Sequence, residues 1–453
     1  MEYQFPEDFM WGVATAAAQI EGGAAEGGRG PSIWDAFSHL PGNIKNGDLP
    51  DVACDSYHLY EKDIELMKEL GVKTYRFSFS WSRILPDGIG EVNPEGIAYY
   101  KALIAKLKAN DIVPNATMYH WDLPYKLQVM GGFGNREVIS WFTNYAKILL
   151  ENFGDDVDLW VTFNEPIAVY VGYAKGFFAP GLKNEKYARQ CLHHLLLCHG
   201  ETVKLFRKMH FKHAKIGIVV DIWKHFPERE GNAEDIAMAV KANEIEGYGM
   251  FLNPIFLGEY TDVYRKYLDE NDMVLDIHEG DMATIHQKLD FYGLNFYNGL
   301  FDNAEREKAR QKAGPAGGNY QDRPASHPEK LVDVLHMLVD QYKVDIPIYI
   351  TENGLPHTED KDDFETLLND QNRIEYIKNV LQALHQAMEE GVDVRGYYVW
   401  TLMDNFEWSA GYAPRYGLYY TDFKTLERIP KKSAAWYRKV IQDHGFDVTG
   451  QTG

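Results

Sequence analysis

The sequence predicts an α/β fold: a (β/α)8 TIM barrel made by a single domain, residues 1–453, with its active site at the C-terminal ends of the strands. Three observations predict it. Short apolar or β-branched runs recur eight times along the chain. Amphipathic helical patterns follow or intervene, and alternating strands and helices imply a parallel sheet. The runs are apolar along their length, as strands covered on both faces must be. Eight such units close a barrel; an open doubly wound sheet is the alternative with the same alternation. The length of 453 residues would suit about two or three average domains, but α/β barrels routinely exceed that size as one domain. No linker rich in Pro, Gly or Ser divides the chain, and no repeat of about 20–50 residues is visible.

Taken in order, the first strand is predicted at 11–15, followed by the helix "SYHLYEKDIELMKEL" at 56–70. The second strand, 74–80, carries "YRFSFSW" and precedes a helix at 95–108. A third strand at 112–119 leads to a helix at 138–153. The fourth, 159–163, opens the stretch "LWVTFNEPI". Val161, Thr162 and Phe163 favour a strand, and Pro166, which has no amide hydrogen, stops the ladder. Glu165 therefore falls where a strand ends and a loop begins, held by a rigid scaffold yet open to a ligand. Helices at 188–210, 233–253, 328–342, 370–390 and 432–443 accompany the remaining strands at 215–220, 291–296, 347–351 and 396–401.

Bulk composition narrows the function. Lys+Arg is 46 and Asp+Glu is 67, a formal net charge of −21. That excess of acid argues against nucleic acid and anionic membrane as partners. Three cysteines, Cys54, Cys191 and Cys198, give no disulfide framework. The opening "MEYQFPEDFMWG" has no basic region and no long apolar run. No segment approaches the roughly 18 uninterrupted apolar residues of a spanning helix. The expectation is a cytoplasmic protein in a reducing compartment.

Barrel sites lie at the carboxyl ends of the strands. There the sequence places Gln19 after the first strand, Arg76 on the second, and His120 and Trp121 after the third. Asn164 and Glu165 follow the fourth, Asn295 and Tyr297 the sixth, and Glu352 the seventh. Trp400 is on the eighth, followed by Glu407 and Trp408 in "MDNFEW". Carboxylates, amides, a histidine and aromatics thus share one rim. Sugars present hydroxyls that need bidentate polar partners and flat C–H faces that stack on tryptophan. Glycosidic hydrolysis needs two carboxyl groups, one to protonate the leaving oxygen and one to attack or to activate water. Glu165 and Glu352, each beside an asparagine, are the natural pair.

Several motifs in order carry a family resemblance: "FMWGVATAAAQIEGG", "GRGPSIWDAF", "RFSFSWSRILPDG", "YHWDLP", "TFNEP", "GLNFY", "ITENG" and "WTLMDNFEWSAGYAPRYGL". Across almost the entire chain it resembles glycoside hydrolase family 1, the β-glucosidase family of retaining barrel enzymes. The resemblance implies Glu165 as acid/base and Glu352 as nucleophile, flanked by Arg76, Asn295 and Tyr297. It places Gln19, His120, Trp121, Asn164, Glu407 and Trp408 on the glycone hydroxyls, with Trp400 as the platform under the sugar. It implies small-molecule β-glucosides and short oligosaccharides as substrates, with side activity on β-fucosides or β-galactosides and some transfer to acceptors. Neither cofactor nor metal is expected. A 6-phospho-β-glucosidase and a non-catalytic carbohydrate-binding protein on the same fold are the alternatives.

Departures from the family pattern refine this. Many relatives have tryptophan after "NEP", where this chain has Ile167, and "DRPASHP" at 322–328 lacks a tryptophan found in many others. A less aromatic, more permissive acceptor side is expected. Tyr416 stands where most plain β-glucosidases have phenylalanine. Phospho-sugar relatives use a tyrosine near there, but with a serine for Glu407 and a lysine where this chain has Pro414. A carboxylate facing a phosphate is repulsive, which favours the unphosphorylated sugar. The segment at 305–328 is expected as a long loop on the active face. "EGGAAEGGRG" lacks both the dinucleotide fingerprint and the P-loop lysine and is expected to shape the sugar pocket. In "CLHHLLLCHG", Cys191, His194 and Cys198 share one helical face, expected as a buried stripe and not a metal site.

Overall fold

The computed structural model describes residues 2–312, 326–358 and 362–447. Among them eight parallel strands close a barrel: β1 Met10–Ala14, β2 Thr74–Ser78, β3 Val113–Tyr119, β4 Leu159–Asn164, β5 Lys215–Asp221, β6 Phe291–Asn295, β7 Ile348–Asn353 and β8 Val394–Trp400. Each pairs with its neighbours in sequence, and β8 returns to β1 with Gly396 against Met10 and Trp400 against Ala14. The open sheet is therefore excluded. Every residue of β2, β4, β6 and β7 is buried, as a strand sandwiched between barrel interior and helices must be.

The outer layer contains α1 Ser56–Leu70, α2 Pro94–Lys108, α3 Val138–Phe153, α4 Glu185–Met209, α5 Ala233–Val240, α6 Leu331–Asp340, α7 Gln371–Glu389 and α8 Lys432–Asp443. Their starts follow capping chemistry. Asn93 accepts from the Glu95 amide with Pro94 at the first position of α2, and Asn184 accepts from the Tyr187 amide at α4. In α3, Phe142 turns inward and stacks on Phe163 of β4, centroids 4.4 Å apart. An aromatic pair like this adds about 0.5–1.5 kcal/mol beyond burial. It ties the wall helix to the strand that leads to Glu165.

Two expectations change in detail. The helix predicted at 233–253 is broken. After α5 the chain widens into a π turn, with the Glu246 amide bonded to the Lys241 carbonyl at 3.2 Å, and passes Gly247 before a short turn at Gly249–Leu252. Glycine carries the highest helix cost short of proline, so the break falls there. The segment expected as a loop from 305 begins instead as a helix, Ala304–Lys312. Residues 313–325 lie outside the described residues, so most of "DRPASHP" does too.

The helix carrying "CLHHLLLCHG" is α4, and its stripe is buried as expected. His194 Nδ1 meets the Phe133 carbonyl at 2.8 Å and Cys198 donates to the Val138 carbonyl at 3.6 Å. Among the described residues no helix is long and apolar enough to cross a membrane.

Candidate active site

At the carboxyl ends of the strands lies a cavity of about 570 Å³. Its wall includes His120, Trp121, Glu165, Ile167, Tyr297, Glu352, Trp400, Glu407, Trp408 and Tyr416, ten of the residues singled out in the sequence. Arg76, Asn164 and Asn295 stand behind that wall as its support, and Gln19, in the short helix Ala17–Ile20 after the first strand, supports it through Glu407.

Glu352, near the end of β7, is buried and gripped on both oxygens. Arg76 Nη1 donates to Oε1 at 2.6 Å and the Tyr297 hydroxyl to Oε2 at 2.9 Å. Burial raises this carboxyl above its ordinary value, and Arg76 and Tyr297 limit the rise, which stays smaller than that of Glu165. Glu165 has a different setting. Its Oε1 accepts from the neutral Asn295 amide at 2.6 Å. Burial pushes it well above the carboxylate range, and the charges of Asp221 and then Glu352 push the same way. The two carboxyls are thereby driven apart in character: a stabilised anion on Glu352 and a retained proton on Glu165. Burial comes first, and Asp221 outranks Glu352. Asn295 also does more than flank Glu352, since its amide holds Glu165 and Asn164 Oδ1 together, the latter at 3.1 Å.

Asn164 organises the far side. Its Oδ1 accepts from Arg76 Nη2 at 2.6 Å and from Asn295 Nδ2, which fixes the amide orientation. Its Nδ2 must then donate to His120 Nε2, 3.0 Å away. The imidazole therefore carries its proton on Nδ1. Burial, and then the Arg76 charge, hold His120 well below its usual range, so it stays neutral. Nδ1 has no partner among the described residues, so its N–H is a spare donor. Gln19 supplies the complement. Its amide nitrogen donates to the Phe406 carbonyl at 2.8 Å, to Asn405 Oδ1 at 3.1 Å and to Glu407 Oε2 at 3.4 Å, while its Oε1 is buried without a partner among the described residues. A spare acceptor and a spare donor, both buried, are what a polyhydroxylated ligand satisfies.

Aromatic rings close the wall. Trp408 packs on Trp121 at 4.5 Å and on Trp34 at 4.6 Å, and Trp121 stacks on Phe178 at 5.4 Å. Trp121, Glu165 and Trp408 hold φ of 77°, 43° and 50°, in the left-handed region. Each such residue costs on the order of 1–3 kcal/mol and persists only where surrounding packing over-determines it. The peptide between Trp400 and Thr401 is cis.

Three results differ from the sequence reading or extend it. Asp221 at the end of β5 and Trp223 just beyond it line the cavity and were not singled out. Their signal was available, since β5 is a predicted strand and both sit past its end. Trp223 stacks on Tyr297, 5.8 Å apart and 11° from parallel, and it and Phe178 add aromatic surface to the cavity. The glycine-rich loop does not shape the pocket. It packs away from the cavity, where a Cβ on Gly22 (φ 63°) would lie 2.0 Å from the Val52 carbonyl.

Comparison with known proteins gives one answer throughout. The family model described as "Glycosyl hydrolase family 1" matches residues 1–446. "Beta-glucosidase A" of Thermotoga maritima is 42% identical, over 98% of this chain and 99% of the relative. "Beta-glucosidase A" of Acetivibrio thermocellus is likewise 42% identical, over 98% and 99%. The solved structure "Beta-glucosidase from Thermotoga maritima in complex with glucoimidazole" superposes with a TM-score of 0.90 at 41% identity, covering 98% of this chain and all of that one, 100%.

Proposed function

The chain belongs to glycosyl hydrolase family 1, and from that premise we propose that it is a retaining β-glucosidase releasing terminal β-D-glucosyl residues by double displacement, through one catalytic domain spanning 1–453. The observation that carries the mechanism is the unequal setting of two cavity carboxyls. Glu352 is paired with Arg76 and Tyr297, whereas Glu165 is held by a neutral amide. Relatives and a solved structure named as β-glucosidases support the glucosyl preference.

Glu165 protonates the glycosidic oxygen as Glu352 attacks the anomeric carbon; the C–O bond to the leaving group breaks and an ester to Glu352 forms. Esterification removes the Glu352 charge, so Glu165 becomes a stronger acid and a usable base for water. Water then displaces the ester and its proton passes to Glu165. Asn164, His120, Gln19, Glu407 and Trp408 orient the hydroxyls, and Trp400 carries the sugar face. Tyr416 and Ile167 border the site. Turnover of short cello-oligosaccharides, β-fucosides and β-galactosides, and transfer to alcohol acceptors, belong to the same proposal. The free, buried cysteines support a cytoplasmic setting.

A 6-phospho-sugar is disfavoured because Glu407 lines the cavity and Arg415 is turned away, donating to the Thr421 carbonyl at 2.8 Å. The test is nitrophenol release from 4-nitrophenyl β-D-glucopyranoside by the wild type and by Glu352→Gln. Rapid release that collapses in the variant supports the reading. No release by folded wild type, with turnover of the 6-phosphorylated analogue, replaces it with the phospho-sugar reading. Failure on both leaves the carbohydrate-binding alternative.

A further inference from the structure

The cavity holds more carboxyls than its mechanism needs. Glu165, Asp221 and Glu352 all line it, and Arg76 is committed to Glu352 and Asn164. Asp221 is the carboxyl without an assignment. Its placement is set by β5. Two residues earlier, the Val219 carbonyl accepts from the Glu165 amide at 2.9 Å. Alternate residues of a strand share a face, so Asp221 lies on the Val219 side of the strand. In the register of β5 on β6, Asp221 is the partner of Asn295. The Asn295 amide holds Glu165 Oε1 at 2.6 Å, and its carbonyl accepts from the Ile222 amide at 3.0 Å. The backbone that anchors Glu165 and the amide that grips its carboxyl thus both belong to residues beside Asp221. Asp221 is buried, and its Oδ1 has no partner among the described residues.

We propose that Asp221 is a positioning residue for the acid/base step, whose negative charge keeps the proton on Glu165. The proposal rests on the assignment of Glu165 as acid/base. The charged and titratable groups around it come from every wall: Arg76 on β2, His120 after β3, Glu165 after β4, Tyr292 and Tyr297 on and after β6, Glu352 on β7 and Glu407 after β8. Of these, Arg76 is the cation and is held by Glu352; His120 is neutral. Burial raises Asp221 to about 7, and Glu352 adds to the rise, so Asp221 titrates in the working range beside Glu165. Glu165 and Asp221 line one cavity, and the Asp221 charge acts on Glu165; carboxyls coupled in this way lose their protons as a pair, and the second loss is delayed by the first charge. The consequence differs between the two steps. Forming the ester neutralises Glu352 and removes its push on Asp221, so Asp221 keeps its negative charge more readily. Glu165 then keeps one repelling neighbour and so remains basic enough to take the proton from water.

The test is the pH dependence of kcat/KM for Asp221→Asn, which removes the charge at nearly constant shape. Phenyl β-D-glucopyranoside, whose leaving group needs protonation, is compared with 2,4-dinitrophenyl β-D-glucopyranoside, whose leaving group does not. On the phenyl substrate the alkaline limb is expected to move to lower pH by roughly one unit, with the acid limb and the dinitrophenyl profile in place. Asp221→Glu, which keeps the charge, is expected to retain the wild-type limb. An alkaline limb unmoved in Asp221→Asn, with activity reduced evenly at all pH, overturns the proposal, as does a Glu variant shifted as far as the Asn variant. Glu165→Gln separates the two claims. If it spares the phenyl substrate, the acid/base assignment itself is wrong; if it abolishes that turnover while Asp221→Asn leaves the limb in place, only the role of Asp221 falls.

Discussion

Replacing Arg76 by glutamine removes the cation from the centre of the site while keeping a similar length. The pair it breaks is fully internal: the side chains of Arg76 and Glu352 are 1% and 4% exposed and 2.6 Å apart. Screening by solvent therefore gives no discount of the kind that makes surface pairs nearly worthless. Breaking a buried pair by removing one partner costs about 3–5 kcal/mol, because the remaining charge is stranded. A chain of 453 residues has an unfolding entropy of about 1 kcal/mol/K, so Tm should fall by roughly 3–5 °C near neutral pH. The loss depends on pH, and its sign follows from linkage. Burial already pushes the folded-state Glu352 above its ordinary value, and Arg76 is the main group holding it down. Without Arg76 the folded carboxyl binds its proton more tightly than the unfolded one, whose pKa is about 4.3. The deficit is therefore full above the variant's raised value and vanishes below the wild type's own value, itself above about 4.3, where Glu352 is protonated in both folded proteins. Melting curves of wild type and Arg76→Gln from acid to neutral pH measure it. Activity should fall alongside, since losing Arg76 shifts the nucleophile towards its protonated form. A deficit constant across pH, or none at any pH, refutes the assignment of Glu352 as an anion stabilised by Arg76.

Three further outcomes follow from single contacts. Gln19→Ala deletes a buried acceptor and the donor that steadies Glu407; kcat/KM should fall by about 10- to 100-fold, equally for aryl glucosides and cellobiose, because losing a buried hydrogen-bonding group costs about 1–3 kcal/mol. Trp223→Ala removes the ring stacked on Tyr297; KM should rise by about threefold to tenfold for aryl β-glucosides, consistent with an aromatic contact of about 0.5–1.5 kcal/mol, and hardly at all for methyl β-glucoside. Prolonged incubation with EDTA should leave turnover unchanged, since among the described residues no group of three or more His, Cys, Asp and Glu side chains could hold a metal ion; loss restored by a divalent cation would contradict that.

The barrel was legible because its signals are local. Apolar strand runs and amphipathic helices are written within about ten to twenty residues, and α1, α3 and α8 fall within the predicted limits, 56–70, 138–153 and 432–443. The helix at 233–253 was misread because periodicity does not report where a π turn and Gly247 interrupt it. Site residues were legible where polar side chains end apolar strands, as at Asn164, Asn295 and Glu352. Asp221 was missed although it ends its strand two residues before Trp223, because no adjacent asparagine marks it as Asn164 and Asn353 mark the two glutamates. Trp223 escaped because its role depends on Tyr297, 74 positions away in sequence and reached only through barrel closure. The glycine-rich loop misled in the opposite direction. Left-handed glycines report tight backbone packing, here against Val52, Tyr57 and Asn93, as readily as they report a ligand.

The relation between Asn164 and His120 shows how far a polar site can be deduced once contacts are known. No hydrogen position is visible in residue names. Yet two donors on Asn164 Oδ1 leave its amide nitrogen one direction, that direction meets His120 Nε2, and a neutral ring must then carry its proton on Nδ1. The same chain of constraint runs from Arg76 through Asn164 and Asn295 to both glutamates. A substitution anywhere along it therefore changes the proton positions at the others. Arg76 is the single cation in that chain, and it touches Glu352 but not Glu165. That one contact is the largest influence opposing the rise of Glu352, whereas burial and then Asp221 keep the proton on Glu165.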